Sequence, residues 1–206
     1  MRTTYGGQIS TDQVALGWED GQWLNAPAAT ARAGRHLVVT AVEGSDFWRT
    51  TAYGFVHDDG HALLRPLQIG EAVEVSFILD YDQQFDQAGV LVRASETAWA
   101  KAGVEISDGV AQVGAVVTHT TSDWSVAPVP DWTGSEVTIR VSRGEDALVV
   151  RAGRAGESWR LVRVAPWPAD APSSAGPYCC APTRSGLQVR FTQWLAGSSD
   201  AALHPT

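Results

Sequence analysis

Apolar and polar residues alternate with a period of two along most of this chain. The segments HLVVTAV (36–42), VEVSFILDY (73–81), AGVLVRA (88–94), VAQVGAVVTH (110–119), EVTIRVSR (136–143), DALVVRAG (146–153), SWRLVRVA (158–165) and LQVRFTQWL (187–195) all behave this way. They are rich in β-branched residues, and turn signals lie between them: HDDGH (57–61), SDG (107–109), RGED (143–146) and RAGE (154–157). No segment keeps an apolar helical period for more than a few residues. Ten or more short strands joined by Gly/Asp turns predict an all-β protein, a two-sheet antiparallel β-sandwich of jelly-roll type.

The stretch FDQAGVLVRASETAWAKAGVEI (85–106) allows the pairing to be worked out residue by residue. A two-residue turn at Asp108-Gly109 sets Glu105 against Gln112, Gly103 against Gly114, Lys101 against Val116 and Trp99 against Thr118. A loop at Ser95-Glu96-Thr97 sets Arg93 against Trp99, Leu91 against Lys101, Gly89 against Gly103 and Gln87 against Glu105. In both hairpins one face is then uniformly small and apolar, as a core face requires, whereas a slip by one residue would drive Arg93 inward.

The other face carries a row of three glycines, Gly89, Gly103 and Gly114. Leu91, Lys101, Val116, Arg93, Trp99 and Thr118 lie on one side of it, and Gln87, Glu105 and Gln112 on the other. Aligned glycines allow something to approach the backbone, and the surrounding amides, carboxylate, cations and indole suit a hydroxyl-rich ligand such as a sugar. The same pattern also fits a solvated sheet in which Lys101 and Glu105 are decoration, Arg93 lies over Trp99, and the glycines only let the sheet coil.

A length of 206 residues, with 44% hydrophobic and 18% charged, describes one globular unit, with its core over 14–197 and a loose tail over 198–206. The net charge of -8 repels phosphate backbones and anionic lipid, so neither nucleic acid nor membrane is an expected partner. MRTTYGGQIS has no apolar signal core and no stretch nears the length of a membrane span, which leads us to expect a soluble, cytoplasmic protein. The only cysteines are the adjacent Cys179 and Cys180, a spacing that suits two buried thiols better than a metal site or a disulfide. No cofactor or metal is expected, and a homodimer is left open.

The strings SDFWRTTAYGF (45–55), YDQQFDQAGVLVRASETAWAKAGVE (81–105), VVTHTTSDWS (116–125) and GPYCCAPTRSGLQVRFTQW (176–194) resemble the DUF1349 family. The resemblance implies a concanavalin A-like jelly roll, and one fungal branch of that family is named for regulation of enolase. Its motifs fall here on Asp46, Phe47, Trp48, Tyr53, Asp86, Gln87, Trp99, Lys101, Glu105, Ser122, Asp123 and Trp124. Family variants with GLMV and WIKAG differ from Gly89–Val92 and Trp99–Gly103 only at apolar positions. The superfamily includes lectins, glucanases and lyases, which is an analogy of fold.

Ser122-Asp123-Trp124-Ser125 is expected as a loop at the end of the trough, with Trp124 near Trp99; the alternative is a self-satisfied turn. Trp48 and Phe47 point to opposite faces, so one of them can line the groove. The two-acid strand motif of the retaining glucanases is absent, and no serine or cysteine triad is readable. The expected ligand set is therefore Trp48, Gln87, Arg93, Trp99, Lys101, Glu105, Gln112, Thr118, Asp123 and Trp124. Glu105 and Lys101 are the candidates if there is catalysis. Binding of a carbohydrate or small polar ligand is the first reading, a carbohydrate-active hydrolase, lyase or isomerase the second, and a regulatory partner of a metabolic enzyme the third. The first two predict a concave, ordered pocket at Lys101, and the third an exposed apolar patch.

Overall fold

The computed structural model describes residues 12–204. The strands are β1 (Val14–Ala15), β2 (Gln22–Leu24), β3 (Ala29–Ala33), β4 (His36–Thr40), β5 (Phe47–Arg49), β6 (Val56–Asp58), β7 (His61–Leu67), β8 (Glu71–Ile78) and β9 (Gln87–Ser95). They continue as β10 (Ala98–Ser107), β11 (Val110–His119), β12 (Thr121–Pro128), β13 (Glu136–Arg143), β14 (Ala147–Arg154), β15 (Arg160–Pro166), β16 (Ser173–Cys180) and β17 (Gln188–Ser198), with one 3-10 turn at Pro130–Trp132. A front sheet has the order β12-β11-β10-β9-β16-β7-β2 and a back sheet β15-β14-β13-β8-β17-β4-β3, with β1 on β17. This is the antiparallel concanavalin A-like sandwich. Among the described residues, no helix is long and apolar enough to cross a membrane.

The core between the sheets is built from the alternating residues of each. Val90, Val92, Ala102, Val104, Val113 and Ala115 of the front sheet share one buried cluster with Val75, Phe77, Ile139 and Val141 of the back sheet. The strand pairing read from the sequence is the pairing present, except that the first hairpin turns at Glu96-Thr97, not over three residues: Ser95 ends β9 opposite Ala98, and the register shifts between Ala98 and Trp99. Gly103 lies opposite both Gly89 and Gly114, Lys101 opposite Leu91 and Val116, and Glu105 opposite Gln87 and Gln112. For β10 and β11 the cause is local: Asp108 and Gly109 both have positive φ, 55° and 75°, as a type I′ turn requires.

The glycine row has a different origin from the one a ligand trough supposes. A Cβ on Gly89 would stand 2.0 Å from the Ala102 carbonyl oxygen, one on Gly103 2.1 Å from that of Ala88, and one on Gly114 2.1 Å from that of Ser125. These are backbone atoms of neighbouring strands, so the glycines are required by the close coiling of the sheet itself.

Three further expectations are corrected. The face bearing the row is no open surface, because the β5–β6 hairpin covers half of it. Phe47 and Trp48 of that hairpin form a second buried cluster with Ala62, Leu91, Trp99, Val116, Tyr178 and Cys180. Ser122–Ser125 is not a loop but the start of β12, which turns back at Thr120, φ 70°, and pairs with β11. Finally, the tail is docked well past residue 198. Ser199 donates to Gly70 O, Asp200 accepts from Arg140 and Arg151, and Leu203 O accepts from Arg151.

Candidate functional site

Beneath the hairpin, apolar packing and polar latches work together. Trp99 is fully buried, with its ring centroid 5.9 Å from that of Phe47, and its indole N–H has no hydrogen-bond partner among the described residues. Arg93 does not lie over Trp99 but donates to both carboxylate oxygens of Asp58 at 2.5 and 2.7 Å. Lys101 Nζ, also buried, donates to Asp46 Oδ1 at 2.6 Å. At the other end of the hairpin the Arg49 N–H donates to Ser122 Oγ, which in turn shares a hydrogen bond with buried Thr118. Burial alone would lower the Lys101 pKa, but Asp46, Cys180 and Glu105 together raise it. Lys101 is therefore a sealed, charged latch, and Trp99 and Thr118 lie under the lid with it.

The uncovered half of the face is a narrow crevice. Gly103 and Gly114 form its floor, and Gln87, Glu105, Gln112, Trp124 and Tyr178 its walls. Its volume is about 10 Å³, room for one water-sized group. Glu105 is partly buried there, and its carboxyl has no hydrogen-bond partner among the described residues. Burial pushes its pKa up, Lys101 lowers it and Asp46 raises it, with the result at about 7. Gln87 Nε2 faces the carbonyl of Phe85 at 3.2 Å and Asp46 Oδ1 at 3.4 Å, which leaves buried Oε1 without a donor. Gln112 Nε2 donates to Ser107 O at 3.3 Å.

Of the expected ligand set, Gln87, Glu105, Gln112 and Trp124 wall this crevice, and buried Lys101, its Nζ held by Asp46, closes the end that runs under the hairpin. Trp48 is buried between Tyr53 and Trp124, its indole N–H bonded to Thr51 O. The Asp123 side chain points to solvent and pairs with Arg163. Two residues outside that set matter as much: Asp46, which holds Lys101, and Tyr178, a crevice wall. Asp46 stands among the family motif positions, but nothing local shows that it folds 55 residues forward onto a lysine. Cys179 and Cys180 are free and buried, and burial pushes the Cys179 thiol up to about 12. Among the described residues, no three His, Cys, Asp or Glu side chains are grouped to hold a metal ion.

The comparisons with known proteins agree with this architecture. A Saccharomyces cerevisiae protein named "Regulation of enolase protein 1" is 37% identical over 187 residues, covering 89% of this chain and 93% of that one. A crystal structure of a functionally unknown protein from Saccharomyces cerevisiae superposes with a TM-score of 0.83 at 34% identity, covering 89% of this chain and 98% of that one. A xylan β-1,4-xylosidase from Bacillus halodurans shares the fold, with a TM-score of 0.66 at 12% identity over 93% of this chain and 40% of the xylosidase. The family model described as "protein of unknown function (DUF1349)" matches residues 23–198. With its sandwich, register and motifs in place, the chain belongs to the DUF1349 family.

Proposed function

We propose that this chain binds a small hydroxyl-bearing ligand, a carbohydrate or a polyol, at the Glu105 end of the front sheet. One observation carries the reading: the crevice presents two acceptors, the buried Gln87 Oε1 and the partly exposed Glu105 carboxyl, with no donor for either among the described residues. Acceptors without donors in a confined place select a partner that brings O–H or N–H groups. The small volume admits one such group, and the rest of a sugar ring would lie outside against Trp124 and Gln112. A carboxyl with a pKa of about 7 is also suited to proton transfer, which keeps a carbohydrate-active enzyme as an outcome of the same test. Two free, buried thiols agree with a reducing, cytoplasmic setting.

The test is a panel of neutral sugars and polyols read by thermal shift. A ligand of this site raises the melting temperature of the wild type. Glu105→Leu removes that shift, and Glu105→Gln weakens binding by less than about tenfold, since one neutral hydrogen bond replaces a charged one. If a ligand is turned over and Glu105→Gln abolishes turnover while binding persists, the site is catalytic. A panel with no shift, or a shift equal in the Glu105→Leu variant, overturns the reading.

A second reading rests on the tip of the β5–β6 hairpin. Tyr53, Phe55 and Val56 are 54%, 42% and 49% exposed, and the two rings stack 5.4 Å apart. An apolar run held out to solvent is a surface for a protein partner. The name of the yeast relative makes enolase the first partner to try. If this reading holds, Tyr53→Ser with Phe55→Ser weakens binding to purified enolase at least tenfold and leaves sugar binding alone. An unchanged affinity excludes the tip.

A further inference from the structure

A second cavity, of about 490 Å³, shares no lining residue with the Glu105 crevice. Leu64, Pro66 and Pro172 give it apolar walls, and Arg93 and Arg143 both reach it. Its volume is in the range of pockets that enclose small molecules, roughly 300–1,000 Å³.

Arg143 is the unusual member. It ends β13 on the same side as Val137, Ile139 and Val141, all core residues, and is only 4% exposed. Two neighbouring arginines have carboxylate partners: Arg140, the other buried one among the described residues, and the half-buried Arg93. Arg140 is held by Glu74 and Asp200, and Arg93 spends its fork on Asp58. Arg143 has no carboxylate partner among the described residues. Its Nη1 donates to Leu67 O at 2.7 Å, its Nη2 to Ala169 O at 3.2 Å and Ala171 O at 2.7 Å, and its Nε has no partner. Carbonyl dipoles fix the position of the guanidinium without neutralising it, and a buried cation without a counter-charge is costly.

The cavity beside it also holds unused donors. The side chains of Ser174 and Gln68 make no hydrogen bond among the described residues. No acid is among the residues that line the cavity; Asp58 is taken up by Arg93, and Glu71, three residues beyond Gln68, accepts from the Gln68 backbone N–H. We propose that this cavity binds a small organic anion whose carboxylate or phosphate supplies the counter-charge of Arg143. Ser174 and Gln68 bond its oxygens, and its carbon skeleton lies against Pro66 and Pro172.

Thermal shift on the full chain at constant ionic strength tests this with glucuronate, inorganic phosphate and, as the uncharged control, glucose. At tenfold over half-saturation an anion of this site raises the melting temperature by roughly 3–6 °C. Glucose gives no shift that depends on this cavity. A response to glucuronate alone assigns a carboxylate ligand, and a response to phosphate alone a phosphate ester. Ser174→Asp places a carboxylate in the cavity and removes the shift, while Ser174→Asn keeps it. Gln68→Glu repeats the test from an exposed position where folding is not at stake. No shift with either anion, or a shift that survives both Ser174→Asp and Gln68→Glu, overturns the proposal.

Discussion

Lys101 and Glu105 stand four residues apart on the same face of β10, and their surroundings could hardly differ more. Lys101 is under the hairpin, paired with Asp46 and closed to solvent; Glu105 is beyond its edge, without a partner, its pKa near neutrality. Strand rise separates such residues by roughly 13 Å, so one short hairpin covers one and leaves the other. A buried ion pair fastens a lid, whereas a partly buried carboxyl without a hydrogen-bond partner is available for a ligand. The same alternation thus produced a structural half and a candidate functional half of one face.

The largest effects should come from the covered half. Trp99→Ala is expected to cost about 3–5 kcal/mol, through the cavity left beneath Phe47. Asp46→Ala should cost about 3–5 kcal/mol by stranding the Lys101 cation, and adding Lys101→Met should recover most of that loss. Urea denaturation reads both, and a double variant no better than Asp46→Ala would show that the pair is not the latch. Gly103→Ala comes next, at about 1–3 kcal/mol, because its Cβ would meet the Ala88 carbonyl. A neutral Gly103→Ala would mean that the strands spread at little cost and that the glycine row serves the crevice instead.

The open half gives a smaller effect of opposite sign. The folded pKa of Glu105, about 7, stands above its ordinary 4.5, so the folded state holds more protons than the unfolded state between those values. Stability of the wild type therefore falls as pH rises from about 4.5 to about 7 and levels off above. Glu105→Gln lacks that loss. It should match the wild type near pH 4 and exceed it by about 1–3 kcal/mol at pH 8, allowing for partial exposure. Equal stability of the two proteins at both pH values would show that the carboxyl is solvated and that the two halves differ less than their geometry implies.

What the sequence determined is what neighbours along the chain decide. Alternation told the two faces apart, and the Asp108-Gly109 turn fixed the register that aligns Gly89, Gly103 and Gly114 and sets Glu105 between Gln87 and Gln112. Periodicity and turn geometry act over a few residues, and a register error would have turned a whole face inside out. Which side of the outer face meets water was decided elsewhere. Phe47 and Trp48 cover Trp99, Asp46 neutralises Lys101, and Asp58 holds Arg93, all from a hairpin more than 30 residues earlier in the chain. A strand's own pattern cannot distinguish a polar residue facing solvent from one facing a partner brought in by tertiary packing. Both are polar residues on the outer face, and only the three-dimensional arrangement supplies the carboxylate that makes burial of Lys101 tolerable or leaves Glu105 without a donor.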